Sequence, residues 1–232
     1  MKDTNVTIGT IIGCMQTIIG YPLDTIKTNI QNKNNIINNI INKNNNFKII
    51  NLYNGVKFPL ISSVLNNSIL FYSFSKFQHF NLYNSDNKYK HYYNGFLSGI
   101  LITPTTNYFE SKKVYYQSSK ICNNINPFLF HFKNGFHITL IRESFGSSIY
   151  FGSYYDLHYN YNLSPFNSGG IAGCTSWLLT YPIDVIKTRY QLGNYNVISC
   201  IKYGNLFSGL SFCLFRSFLV NGISFTIYDL FL

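Results

Sequence analysis

A proline followed by an acid and a base, placed at the end of an apolar run, occurs twice in this chain about 160 residues apart. Gly9-x-x-x-Gly13-Cys14, then Tyr21-Pro22-Leu23-Asp24-Thr25-Ile26-Lys27 and Gln31, returns as Gly169-x-x-x-Gly173-Cys174, then Tyr181-Pro182-Ile183-Asp184-Val185-Ile186-Lys187 and Gln191. Charges beside an apolar run are costly and normally serve a function. A unit of this length that returns also says the fold is assembled from copies of one supersecondary element.

Even spacing places a third copy near residue 100. Starting it at Pro104 puts Thr106 and Phe109 in the acid and base slots, which carries no charge. Aligning on Gly95-x-x-x-Gly99 instead gives Glu110 as the acid, Lys113 as the base and Gln117 as the glutamine, with Tyr108 in the proline slot. The second half of each copy agrees. Gly55, Gly135 and Gly209 are followed seven residues later by Ser62, Arg142 and Arg216, and nine further on by Phe71, Phe151 and Phe225. Each copy therefore reads as a long helix, a polar connection with a short helix, and a second long helix. The expected long helices are 6–31, 58–79, 92–118, 137–158, 167–191 and 211–232, each about long enough to cross a bilayer. The copies divide the chain into 1–85, 86–162 and 163–232. Glycines four apart let paired helices approach closely.

Composition narrows the class. Charged residues make up 11% and aromatics 18% of the 232 residues, a profile uncommon in soluble domains. The mean hydropathy of +0.02 excludes a uniformly apolar membrane protein but suits helices with a wet inner face. A net charge of +10 calls for anionic partners. Five cysteines form neither a C-x-x-C nor a metal-finger spacing, so no disulfide framework, metal site or cofactor is expected. Cys14 and Cys174 read as small packing residues. No secretory signal pattern is visible at Met1 onward. The asparagine-rich stretch 32–46 reads as a polar loop shaped by an A/T-rich genome.

Asp24 and Lys27 share one helix face, as do the other acid/base pairs. Within one helix this is a modest local ion pair. Three copies around a pseudo-threefold axis allow a closed ring of six charges, which locks the bundle when intact and frees it when broken. Pro22 and Pro182 bend their helices toward the axis. A kinked, charge-latched bundle suits a gate.

Repeated three times, Pro-x-[Asp/Glu]-x-x-[Lys/Arg] with its following glutamine resembles the mitochondrial carrier family over essentially the whole chain. The resemblance implies an all-α membrane protein: six transmembrane helices as three pseudo-symmetric two-helix repeats around a central cavity. It implies a matrix-side salt-bridge network pairing Asp24 with Lys113, Glu110 with Lys187, and Asp184 with Lys27, braced by Gln31, Gln117 and Gln191. It places substrate contacts at Ser62, Arg142, Glu143 and Arg216, and lipid contacts, with cardiolipin the candidate, at Gly55, Gly135 and Gly209. It also implies a monomeric transporter of the mitochondrial inner membrane working by alternating access, and no enzyme.

The chain departs from the family at the opposite gate, where [Phe/Tyr]-[Asp/Glu]-x-x-[Lys/Arg] is expected. Here the copies read Phe74-Ser75-x-x-Gln78, Tyr154-Tyr155-x-x-His158 with Asp156 one place late, and Tyr228-Asp229-x-x-Leu232. A weak latch is expected at that end, which makes strict antiport less secure.

Two cavity arginines fit an anionic substrate, since guanidinium forks match carboxylate and phosphate. The A/T-biased composition resembles giant-virus-encoded members of the family and points to (deoxy)nucleotides such as dATP, carried across a host mitochondrion's membrane. Arg142 followed by Glu143 resembles amino-acid carriers instead, so an amino acid or carboxylate is the alternative. Tyr72, Tyr150 and Tyr154 read equally as base-stacking or packing rings. A basic nucleic-acid-binding protein is the alternative of another class, but the lysines recur at repeat positions and form no basic stripe. No G-x-S-x-G, Walker loop or H-E-x-x-H is present, and the five histidines read as dispersed interfacial or loop residues.

Overall fold

The computed structural model describes residues 2–31, 53, 55–80, 89–117, 135–192, 197–202, 204, 206–207 and 209–231, with side chains left undescribed at 2–5, 25–31, 113–117, 191–192 and 202. Among the described residues there are six long helices, one short helix and no strand. These are α1 Lys2–Gln31, α2 Lys57–His79, α3 Lys90–Gln117, α4 Phe136–Tyr155, α5 Pro165–Leu192, the short α6 Val197–Lys202 and α7 Leu210–Leu230. The short helices expected in the first two copies fall outside the described residues; α6 occupies that place in the third.

Each long helix packs on the next in chain order, and α7 returns to pack on α1, so the six close into a ring. Within a copy the paired helices meet on their glycines. A Cβ on Gly9 would lie 2.5 Å from the backbone of Ser68, and one on Gly13 would lie 2.6 Å from that of Val64. The same holds for Gly95 against Ser147 at 2.5 Å and Gly169 against Asn221 at 2.7 Å. Backbone atoms cannot yield as a flexible side chain can, so larger residues would part the pairs. Gly55, Gly135 and Gly209 all have φ between 82° and 84°, a left-handed turn that starts α2, α4 and α7 alike. Pro22 lies inside α1 and Pro182 inside α5. Helix α3 carries its proline at Pro104, one turn before Tyr108, so the middle copy also loses a backbone hydrogen bond, but at a different height.

Apolar side chains such as Ile11, Met15 and Ile18 of α1, Ile61 and Leu65 of α2, and Phe145 of α4 face outward and exposed. Two segments, Val6–Asp24 and Leu210–Leu230, are apolar and long enough by composition to cross a membrane. The other long helices mix serine, threonine and asparagine into their inner faces, and this dilutes their hydropathy.

The core lies at one end of the ring, where α2, α4 and α7 terminate. Phe71, Phe151 and Phe225 form a triangle of edge-to-face rings with centroids 5.5, 6.3 and 6.1 Å apart. A second layer caps it cyclically. Phe74 stacks on Phe151 at 3.8 Å, Tyr154 on Phe225 at 3.6 Å, and Tyr228 leans on Phe71 at 5.2 Å. The three phenylalanines of the triangle are 0–1% exposed. Their identical offsets in the chain become a threefold arrangement in space. Packed rings fill this end, where the sequence offers few charges.

Candidate functional site

The opposite half of the ring holds the charges. Asp24, Glu110 and Asp184 lie in the C-terminal halves of α1, α3 and α5, while Arg142 and Arg216 lie in the second turns of α4 and α7. Helices α3 and α5 are not neighbours in the ring, yet they approach here, and Lys187 Nζ makes an ion pair with Glu110 Oε2. Lys187 is only 2% exposed, so its ammonium is held by that carboxylate rather than by water. The side chains of Lys27, Lys113, Gln31, Gln117 and Gln191 lie outside the described residues, although all five positions are helical.

Arg142 is the most heavily engaged charge. It pairs with the neighbouring Glu143, its Nε lies 3.0 Å from Asp184 Oδ1, and its Nη1 lies 3.9 Å from Glu110 Oε1. The guanidinium also sits 5.2 Å from the ring centre of Trp177, a cation–π contact. Three carboxylates and one indole face hold this single cation. Nothing in the repeat pattern pointed to Trp177, because its equivalents are Thr17 and Thr103; its position one helical turn before Pro182 is the signal available in the sequence.

Arg216 is simpler. Its Nε lies 2.9 Å from Asp24 Oδ1, but the N–H is not aimed along the contact, which is therefore an ion pair rather than a hydrogen bond. The guanidinium passes over Gly20, where an added Cβ would come within 2.9 Å of it.

Two cavities open on these groups. One, of about 140 Å³, is lined by Arg142, Glu143, Tyr150, Trp177, Thr180 and Asn221 among others. The second, of about 120 Å³, is lined by Gln16, Thr17, Tyr21, Asp24, Ser63 and Arg216 with Pro59. Ser62 is half-buried and lines neither; its neighbour Ser63 does, and donates a hydrogen bond to the carbonyl of Gly13. Between the charges and the aromatic end lies a belt of amides and hydroxyls. Asn67 donates to Gln16, Gln16 to Ser224, and Tyr150 Oη to Asn221 Oδ1. Tyr150 thus lines the cavity, whereas Tyr154 is committed to packing on Phe225.

Two histidines are not dispersed surface residues. His91 stacks on Tyr155 at 3.8 Å, and His158 lies parallel to Tyr154 with its Nε2 3.6 Å from Asp229 Oδ1. Residues Asp156–Asn160 form a π-helical turn, which absorbs one extra residue at the end of α4. Asp156 accordingly leaves the axis and accepts a hydrogen bond from Tyr92 of α3. In the third copy Arg189 donates to the carbonyls of Cys200 and Gly204, tying α5 to the end of α6. Gly55 and Gly209 each lie about 3.2–3.3 Å, by an added Cβ, from the hydroxyls of Tyr21 and Tyr181.

Comparison with known proteins agrees with the ring. The sequence profile of the mitochondrial carrier protein family matches residues 4–85 and 158–232. A mitochondrial ornithine transporter of Schizosaccharomyces pombe is 26% identical over 95% of this chain and 89% of its own length. A mitochondrial carrier-like protein of Acanthamoeba polyphaga mimivirus is 28% identical over 93% of this chain and 90% of its own. A mitochondrial carnitine carrier of Saccharomyces cerevisiae is 35% identical over 38% of this chain and 35% of its own.

Proposed function

The chain belongs to the mitochondrial carrier family, and from that premise we propose that it carries a small molecule bearing both a carboxylate and a cationic nitrogen across the mitochondrial inner membrane, of a host cell where the gene is viral. Its six long helices span the bilayer, and the cavity between them opens alternately to either side. The observation that carries the substrate reading is the Arg142–Glu143 pair, which presents both signs of charge to one cavity beside Trp177.

The charge balance supports it. Around that cavity the described side chains supply the cations Arg142 and Lys187 against the carboxylates Glu143, Glu110 and Asp184. A nucleotide brings two to four negative charges and needs a clear excess of cations there. An amino acid such as ornithine offers its carboxylate to a guanidinium and its ammonium groups to the acids. The names of the ornithine and carnitine relatives have that same pairing of groups in common. The A/T-biased composition, which pointed to nucleotides such as dATP, bears on the genome the chain comes from and not on the chemistry of the cavity.

Purified protein in liposomes, loaded and then exposed to labelled ornithine, carnitine or dATP, tests the proposal. Ornithine or carnitine enters in exchange for internal substrate and dATP does not. Uptake of dATP alone overturns the amino-acid reading and restores the nucleotide one. Carrying the family's lipid contacts over, Gly55, Gly135 and Gly209 start helices whose N–H groups would meet a lipid phosphate such as cardiolipin's. The carrier works as a monomer, one cavity per chain.

A further inference from the structure

In the repeat geometry, the residue seven past each turn glycine faces the acid of the next odd-numbered helix. Arg142 on α4 reaches Asp184 on α5, and Arg216 on α7 reaches Asp24 on α1. The remaining combination is Ser62 on α2 with Glu110 on α3. Serine cannot hold a carboxylate across that gap, and Glu110 is the acid that takes a lysine, Lys187. Among the described side chains, Asp24 and Asp184 have an arginine as their nearest cation, and Glu110 has Lys187, with Arg142 Nη1 further off at 3.9 Å.

We infer that Asp24 and Asp184 are resident ligands of the substrate-binding arginines, occupying Arg216 and Arg142 in the empty cavity until the oxyanion of an incoming substrate displaces them. This deepens the proposed function and rests on it for the identity of that oxyanion. Three observations fit. Both acids contact their arginine at Nε, the nitrogen nearest its aliphatic stem. Both contacts border the cavities where a ligand would sit. Gly20 gives the Arg216 guanidinium a flat seat at the height where the other copies have Thr106 and Thr180.

Displacement has a consequence for the gate. An acid released from its arginine is free to pair with a base on a neighbouring odd-numbered helix, as Glu110 already does. Binding then changes which ion pairs close that end. An empty cavity leaves two of the three acids on the arginines, so the resident carboxylates also lower apparent substrate affinity.

Arginine labelling by phenylglyoxal, read residue by residue by mass spectrometry on the full chain in detergent, tests this without presuming the substrate. In Asp24→Asn the labelling rate of Arg216 rises about three- to tenfold, as expected on losing an intramolecular competitor, while Arg142 is unchanged. Asp184→Asn raises labelling of Arg142, by a smaller factor because Glu143 and Glu110 still contact it, and leaves Arg216 unchanged. Gly20→Ser, which crowds the guanidinium while keeping Asp24, also raises labelling at Arg216 and guards against a misfolded aspartate variant. Ornithine or carnitine protects both arginines, and does so at lower concentration in the Asn variants. Protection by dATP alone would retain the resident pairs but assign the oxyanion to a phosphate. Raised labelling with no protection by any of the three would retain the pairs and overturn the proposed substrates. Unchanged labelling at Arg216 in both Asp24→Asn and Gly20→Ser overturns the inference.

Discussion

The two ends of the helix ring are closed by different physics. At one end, three phenylalanines and three further rings from α2, α4 and α7 repeat a threefold pattern with no break. At the other, the acids keep the threefold pattern, but among the described side chains their nearest cations do not, being arginine, arginine and lysine. Ring packing involves no net charge, is insensitive to salt and weakens when volume is lost. Ion pairs are directional and exchange partners readily, because each charge needs some partner but not a particular one. An end that must respond to a charged substrate is better built from the second kind of contact.

The largest expected effect lies at the packed end. Phe225→Ala removes a ring from the triangle and the surface on which Tyr154 stacks, a loss of about 3–5 kcal/mol for a buried phenylalanine. The melting temperature in detergent should fall by roughly 10 °C, at about 2–4 °C per kcal/mol for a chain of this size. A shift under a few degrees would mean the triangle is not the core.

Next comes Lys187→Ala. It strands Glu110, which at 37% exposure recovers part of its solvation, so the loss is set at about 2–3 kcal/mol, below the range for a fully buried pair. Uptake in liposomes should drop by more than tenfold, and Lys187→Arg should retain part of it. Equal uptake in Lys187→Ala and the parent chain would separate the charged end from transport.

The small effects are as informative. Asp229 and His158 form a half-exposed pair at the packed end, so Asp229→Asn should change stability by less than about 1 kcal/mol. Tyr155→Phe removes hydroxyl contacts of 3.4–3.5 Å to Gln78 and Tyr228, which are long for hydrogen bonds, and should shift the melt by about 1–2 °C. Losses at these two positions larger than that at Phe225 would mean that polar contacts, and not ring packing, hold the packed end.

Much of this arrangement is legible in the residues alone. The glycines that align the middle copy are those on which α3 and α4 meet, because close helix contact demands small residues at a fixed spacing. The constant offsets from the turn glycines to Ser62, Arg142 and Arg216, and to the phenylalanines beyond, put equivalent residues at equal heights in the three copies. Other features left no such mark. Helix α3 carries its proline at Pro104, outside the motif, where it removes a backbone hydrogen bond at a different height from Pro22 and Pro182. The π turn at Asp156–Asn160 redirects Asp156 to Tyr92, and a one-residue register change has no periodic signature. The reach of Arg142 and Arg216 to acids on the following helices depends on long side chains crossing between elements far apart in the chain. Reading the histidines as interfacial or loop residues gave no sign that His91 and His158 pack as rings on Tyr155 and Tyr154.

The central claim is that the charged end is a latch whose strength comes from the Glu110–Lys187 pair. A charge exchange tests it most directly: uptake of ornithine by liposomes bearing Glu110→Lys, Lys187→Glu, or both. Each single change puts two like charges together and should abolish uptake, while the double change restores a pair of opposite sign and should recover a substantial fraction of it. A double variant that folds, yet transports no better than either single one, would contradict the latch.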